Sequence, residues 1–175
     1  TEGFSWENLL ARARQTAFLV PGLTINCYDE RGDEEITESF RFDGGVVDFA
    51  NWLANDGAVT DTWHITGSGT YSETVQVLDP ESGHLRATEV ERTCDVDVAL
   101  RWGIGYDTNL RSFVNIIATP KGGTHVAGFE QAVLKTLRAA IDKNARKLKV
   151  GAKDGRPEKD DVQAGMTAVV TVRFP

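Results

Sequence analysis

The sequence predicts an α+β fold in which helices cover one face of a mostly antiparallel sheet. Three observations predict it. Apolar residues recur at helical spacing over residues 6–20 and again over residues 124–147. Several other segments alternate apolar with polar residues, as half-buried strands do. The order of these patterns is α, β-β, α, a β-rich segment, β, β, α, β, which is not the regular βαβ alternation of a parallel sheet.

The first helix carries Trp6, Leu9, Leu10, Ala13, Ala17 and Val20 on one stripe, with Ser5 as N-cap and Pro21-Gly22 as its stop. Leu23, Ile25 and Cys27 then alternate with polar residues. The charged turn DERGDEE leads to a second strand, on which Ile36, Phe40 and Phe42 share a face. GGVVDFANWLAND predicts a short helix with Val46, Val47, Phe49, Ala50 and Leu53 inward. Residues 58–103 are rich in Thr, Val and Glu, with turn signals at Gly67-Ser68-Gly69 and from Pro80 to Gly83. In their last run Val96, Val98, Leu100 and Trp102 face one way, and Asp95, Asp97, Ala99 and Arg101 the other. A central strand over 110–118 precedes a long helix capped by Thr124, whose buried stripe is Val126, Phe129, Val133, Leu137 and Ile141. Running to about residue 147, it would be roughly 35 Å long. A final strand, MTAVVTVRF, places Met166, Ala168, Val170, Val172 and Phe174 on one face.

The 175 residues suit one domain, with residues 1–21 as a lead-in helix and residues from about 60 to 93 as an extended hairpin or insertion. No apolar run approaches the roughly 20 residues that span a bilayer, and the N-terminus lacks the zones of a secretory signal. A cytoplasmic protein with two reduced cysteines, Cys27 and Cys94, is expected. The net charge of −7 excludes a module that meets nucleic acid over its whole surface. The first residue is Thr1 and the last, Pro175, directly follows a strand pattern, so a fragment of a longer protein is expected.

Candidate chemistry is sparse. The PKGGTH stretch has the strand–glycine–helix layout of a phosphate cradle. It lacks both the Walker spacing and G-x-G-x-x-G. Gly122, Gly123, Thr124 and His125 are therefore read as a structural corner, with His125 neutral and hydrogen-bonded at a helix start. His64, His84 and His125 have no second His three or four residues away, so neither metal ligands nor catalytic residues are assigned. Lys135, Arg138, Lys143, Arg146, Lys147, Lys149 and Lys153 gather toward the end of the long helix. The helix macrodipole accounts for cations there. The other reading is a DNA-facing strip, centred on Lys143, Arg146, Lys147 and Lys149, joined by Arg111 and Lys121 if these point the same way.

Four segments carry a resemblance: RARQTAFLVPGLTINCYDER, SFRFDGGVVDFANWL, VDVALRWGIGYDTNLRSFVNIIATPKGGTHVAGF and DDVQAGMTAVVTVRFP. In this order they resemble the transducer domain of the B subunits of bacterial type IIA topoisomerases, DNA gyrase and topoisomerase IV. The resemblance implies a ribosomal protein S5 domain 2-like fold with a left-handed β-α-β crossover, against the usual right-handed rule. It implies a fragment without catalytic or cofactor-binding residues of its own, cut from an ATP-hydrolysing isomerase that uses ATP and Mg²⁺. An ATPase domain is expected before Thr1, and a Gln-Thr-Lys loop that reaches ATP is expected beyond Pro175. The implied partners are the ATPase and Toprim domains of the same polypeptide, the topoisomerase A subunit and double-stranded DNA. The fragment is expected to be monomeric, and the parent a dimer of B subunits within a heterotetramer. A stand-alone nucleic-acid-binding module of ribosomal-type fold, without ATP coupling, is the alternative.

Overall fold

The structure, a computed structural model, describes residues 5–80, 83–151 and 153–175. Helix α1 (Trp6–Leu19) begins at Ser5, whose hydroxyl accepts from the Asn8 amide. Strands β1 (Ile25–Asp29) and β2 (Ile36–Phe40) form a separate antiparallel hairpin in the register Ile25 to Phe40. Helix α2 (Val46–Leu53) follows.

The main sheet has the order β3-β4-β7-β5-β6. Its strands are β3 (Trp63–Leu78), β4 (Leu85–Trp102), β5 (Asn109–Val114), β6 (Ile117–Ala118) and β7 (Met166–Arg173). All its pairings are antiparallel except β5 with β7, which run parallel. Helix α3 (Thr124–Lys143) lies in the connection between those two, followed by the short α4 (Ala145–Leu148) and α5 (Lys159–Gln163). The fold is thus α+β, on a sheet dominated by antiparallel pairing.

Helices brace both faces of this sheet, which corrects the expectation of a single covered face. On one side Ala99, Phe113 and Val169 pack with Phe18 of α1 and with Val46, Phe49 and Ala50 of α2. On the other side Val98, Leu100, Ala168 and Val170 meet Phe129 and Val133 of α3. The hairpin β1–β2 covers the outside of α1 through Cys27 and Phe40 against Ala13 and Ala17. Helix α1 therefore lies between two surfaces. Its inward residue near the C-terminus is Phe18, 1% exposed, whereas the expected Val20 is exposed.

Packing on the α3 side is looser. None of the α3 residues is fully buried. An apolar groove of about 680 Å³, lined by Trp63, Ile65, Trp102, Val133 and Phe174 among others, runs between α3 and the sheet.

Three further expectations change. Gly67-Ser68-Gly69 makes no turn, because β3 passes straight through it in register with Asp95–Val96 and Cys94 of β4. Beyond those residues, Pro80 and Gly83 do lie in the connection between β3 and β4, while Glu81 and Ser82 are outside the described residues. The long helix ends at Lys143, so its 20 residues span about 30 Å. The predicted strand over 110–118 is two strands joined at Asn115 and Ile116, with φ of 46° and 65°.

Positive φ at both central residues is the signature of a type I′ hairpin turn, which favours Asn-Gly. A β-branched residue adopts that conformation only with steric strain. Ile116 is 51% exposed, so little burial offsets it. The Ile116→Gly variant is expected to be more stable by about 1 kcal/mol, after the entropic cost of glycine is deducted. A thermal melt checks this, and an unchanged or lower Tm refutes it.

Candidate functional site

The PKGGTH corner connects the β5–β6 edge to α3. The Gly122 amide donates to the Thr119 carbonyl at 2.9 Å, closing a turn with Pro120 second and glycine fourth, the residue preferences of a type I turn. Gly122 has φ of +73°, where an L side chain would be strained. Gly123 is the residue before the helix and makes no side-chain cap; Thr124 is the first helical residue, so it is not the cap expected from the sequence. The His125 ring bonds through Nε2 to Thr119 Oγ1 at 3.1 Å, and Thr119 Oγ1 bonds in turn to Ser112 Oγ at 2.7 Å. This chain ties the first turn of α3 to β5, which lies next to the edge strand β6 and not at the centre of the sheet as expected, the middle place being taken by β7.

A second anchor is not evident from the sequence. Arg101, 9% exposed, projects from β4, and its Nη2 donates to the Asp56 carbonyl oxygen at 3.0 Å. The Asp56 carboxylate accepts from the Gly105 amide at 2.7 Å and lies 3.8 Å from Arg101. Trp102 Nε1 donates to the Val162 carbonyl at 2.8 Å and Thr108 Oγ1 to that of Gln163 at 2.8 Å. The loop from Gly103 to Thr108 is thereby held between the end of α2 and α5. Only the alternation of β4 signals Arg101, and it points that residue to the solvated face.

The far end of α3 is held by polar contacts. Arg138 Nε donates to the Pro157 carbonyl at 2.8 Å, and Asp142 pairs with Arg156 at 3.0 Å. Glu130 accepts from Lys159 Nζ at 2.8 Å and from Gln163 Nε2 at 2.8 Å, joining α3 to α5. Burial pushes the Glu130 carboxyl up, but the hydrogen bonds from Lys159 and Gln163, with the ammonium charge, outweigh that and hold it below its usual range. A lowered folded-state value means that the stabilisation is full above the ordinary carboxylate range and disappears as pH falls through the folded value. Glu130→Gln is expected to cost about 1 kcal/mol at neutral pH. The difference in Tm between the two proteins should shrink as the pH falls below about 4. An equal difference at all pH values would refute the linkage.

The basic residues divide into two groups. Lys143, Arg146, Lys147 and Lys149 are all exposed around α4, and among the described residues none of them has an ion-pair partner. Lys149 closes that helix in the left-handed conformation, with φ of 56°. Arg111 and Lys121 do not join this group; they lie by the β5–β6 edge, next to the opposite end of α3. His64 bonds to Asp97 at 2.7 Å on the acidic face of the β3–β4 hairpin. Among the described residues no group of three or more His, Cys, Asp or Glu is placed to hold a metal ion, and no helix is long and apolar enough to cross a membrane.

Solved structures share this arrangement over essentially the whole chain. The 43K ATPase domain of Thermus thermophilus gyrase B, in complex with an aminocoumarin, superposes with a TM-score of 0.67 at 27% identity, over 98% of this chain and 40% of that one. The B-subunit of the DNA gyrase from Myxococcus xanthus gives 0.64 at 25% identity, over 100% of this chain and 41% of that one. The class defined is the transducer region of the type IIA topoisomerase B proteins. The family model described as DNA gyrase B matches residues 45–175. The DNA gyrase B protein of Streptomyces coelicolor is 32% identical over 99% of this chain, and the DNA topoisomerase 4 B protein of Enterococcus faecalis is 32% identical over all of it. The chain belongs to the DNA gyrase B family. It spans about a quarter of the length of these relatives, 25% and 22% respectively.

Proposed function

We propose that this chain couples ATP binding and hydrolysis in a neighbouring ATPase domain to closure of a DNA gate and passage of one duplex through another. The observation that carries this reading is the match along the whole chain to proteins named as the B components of DNA gyrase and DNA topoisomerase 4. The geometry suits the task. A sheet braced on both faces moves as one body, and α3 carries displacement over about 30 Å from the PKGGTH corner to the basic exit at α4. The corner is a mechanical joint in this reading. ATP and Mg²⁺ belong to the ATPase domain, and a Gln-Thr-Lys loop after the last strand touches the nucleotide. The working partners are that domain and the Toprim domain of the same polypeptide, the topoisomerase A subunit and double-stranded DNA, in a cytoplasmic heterotetramer. By itself the chain is monomeric.

Lys143, Arg146, Lys147 and Lys149, exposed and without an ion-pair partner among the described residues, favour a second reading, a nucleic-acid-binding module independent of ATP. Two measurements on the purified chain separate these. The coupling reading expects no hydrolysis of ATP with Mg²⁺, and weak duplex binding at physiological salt. Measurable hydrolysis sinks it. Tight duplex binding whose affinity falls steeply with salt, and is lost when the four cations become glutamine, favours the second reading.

A further inference from the structure

A concave pocket of about 600 Å³ opens at the β5–β6 edge, between α1, α2 and the first turn of α3. Three cations reach it: Arg14 from α1, Arg111 from β5 and Lys121 from the PKGG turn. No Asp or Glu lines it, although the chain as a whole carries a net charge of −7. Among the described residues none of the three cations has an ion-pair partner. Arg14 is held by aromatic faces instead. Its guanidinium carbon lies 4.9 Å from the Phe40 ring centroid and 5.4 Å from that of Trp52. That attraction fixes the side chain while leaving its positive charge uncompensated.

Gln15, Ser112 and Thr119 are the other polar residues of the lining, and the remainder is mainly apolar. Trp52, 53% exposed, stands at the mouth, and Phe49 and Phe113 lie beneath it, with Leu110 and Val126 half-buried at the side. Phosphate or chloride would satisfy the cations and leave this floor unused. A neutral ring would fill the floor and leave three like charges facing one another. The volume is within the range of about 300–1,000 Å³ that small-molecule sites occupy. A duplex, which is convex, cannot bring a phosphate and an apolar body into the same recess.

We propose that this pocket binds a small organic anion: a carboxylate or sulfonate on an apolar body of one or two rings. The ring system lies against Trp52 and Leu110, and the anion sits between Arg111 and Lys121 with Arg14 behind it. The site is separate from the basic exit at α4 and uses none of its residues.

The probe is 8-anilinonaphthalene-1-sulfonate, titrated by fluorescence into the 175-residue chain at about 150 mM salt, with N-phenyl-1-naphthylamine as its uncharged counterpart. The anionic probe is expected to bind at least tenfold more tightly than the neutral one. Arg111→Glu with Lys121→Glu should weaken it at least tenfold. Both residues are exposed, so the variant is expected to keep its far-ultraviolet circular dichroism, and the milder Arg111→Gln and Lys121→Gln variants repeat the measurement if it does not. Ile65→Glu, in the separate groove under α3, should leave affinity unchanged. Equal binding of the two probes, a loss confined to Ile65→Glu, or displacement of the probe by a short DNA duplex at equal phosphate concentration would each overturn the proposal.

Discussion

Phe18→Ala is expected to lower the stability of this domain by about 4 kcal/mol, the range found for removing a buried phenyl ring. Phe18 is the point where α1, α2 and the sheet meet. Its ring stacks on Phe42 at 3.6 Å and on Phe49 at 4.7 Å, and lies 5.7 Å from Trp52. Removing it leaves a cavity between two helices and a strand, whose backbones cannot all move inward at once. For a domain of this size the loss corresponds to roughly 10 °C in Tm. Phe18→Leu, which keeps much of the volume, should lose less than half as much. Differential scanning calorimetry of the two variants checks both numbers. A loss below about 1 kcal/mol for alanine would mean that the ring is not part of the core.

Gly165→Ala is the second large effect, at about 3 kcal/mol or more. Gly165 enters β7 with φ of +74°. A methyl group there would stand 2.5 Å from the Gly105 carbonyl oxygen and 2.8 Å from that of Gly103. Both obstacles are backbone, in a loop that Asp56, Val162 and Gln163 already hold. The Gly165 carbonyl also accepts from the Gly103 amide at 2.9 Å, so the loop cannot withdraw without losing a hydrogen bond. The variant should melt lower and show altered near-ultraviolet signals from Trp102, whose indole is bound in the same place. A variant as stable as the parent would show that the loop yields freely.

Much of this fold can be read from residue patterns, and the departures have physical causes. The Ser5 cap, the spacing in α2 and the alternation of β7 all lead to the right elements, because each depends on neighbours close in sequence. The second helical layer escapes a pattern-based reading because Thr and Arg look like surface residues. Thr167 and Thr171 are buried, and Thr171 Oγ1 donates to the Asp97 carbonyl at 3.0 Å. A hydroxyl satisfied in this way costs little inside, and no local pattern reveals its distant acceptor. Gly67 and Gly69 imitate a turn. An added Cβ at either would meet nothing within 4 Å, so they sit in an open strand with no demand for a bend. The candidate sites divide in the same way. The four cations of the basic strip are adjacent in sequence and equally adjacent in space. The pocket cations come from α1, β5 and the PKGG turn, and only the folded chain brings them together.

The outer part of the β3–β4 hairpin has a consequence for variation. Strand β7 pairs with β4 only from Asp95 to Trp102, so the residues beyond form a free two-stranded ribbon. Lengthening or trimming that ribbon by two residues on each arm keeps every remaining partner opposite its mate and on its own face, whereas a one-residue change on one arm alone turns its side chains onto the wrong face. Its reach can therefore drift over generations in matched steps, as a mast is raised or lowered without disturbing the hull.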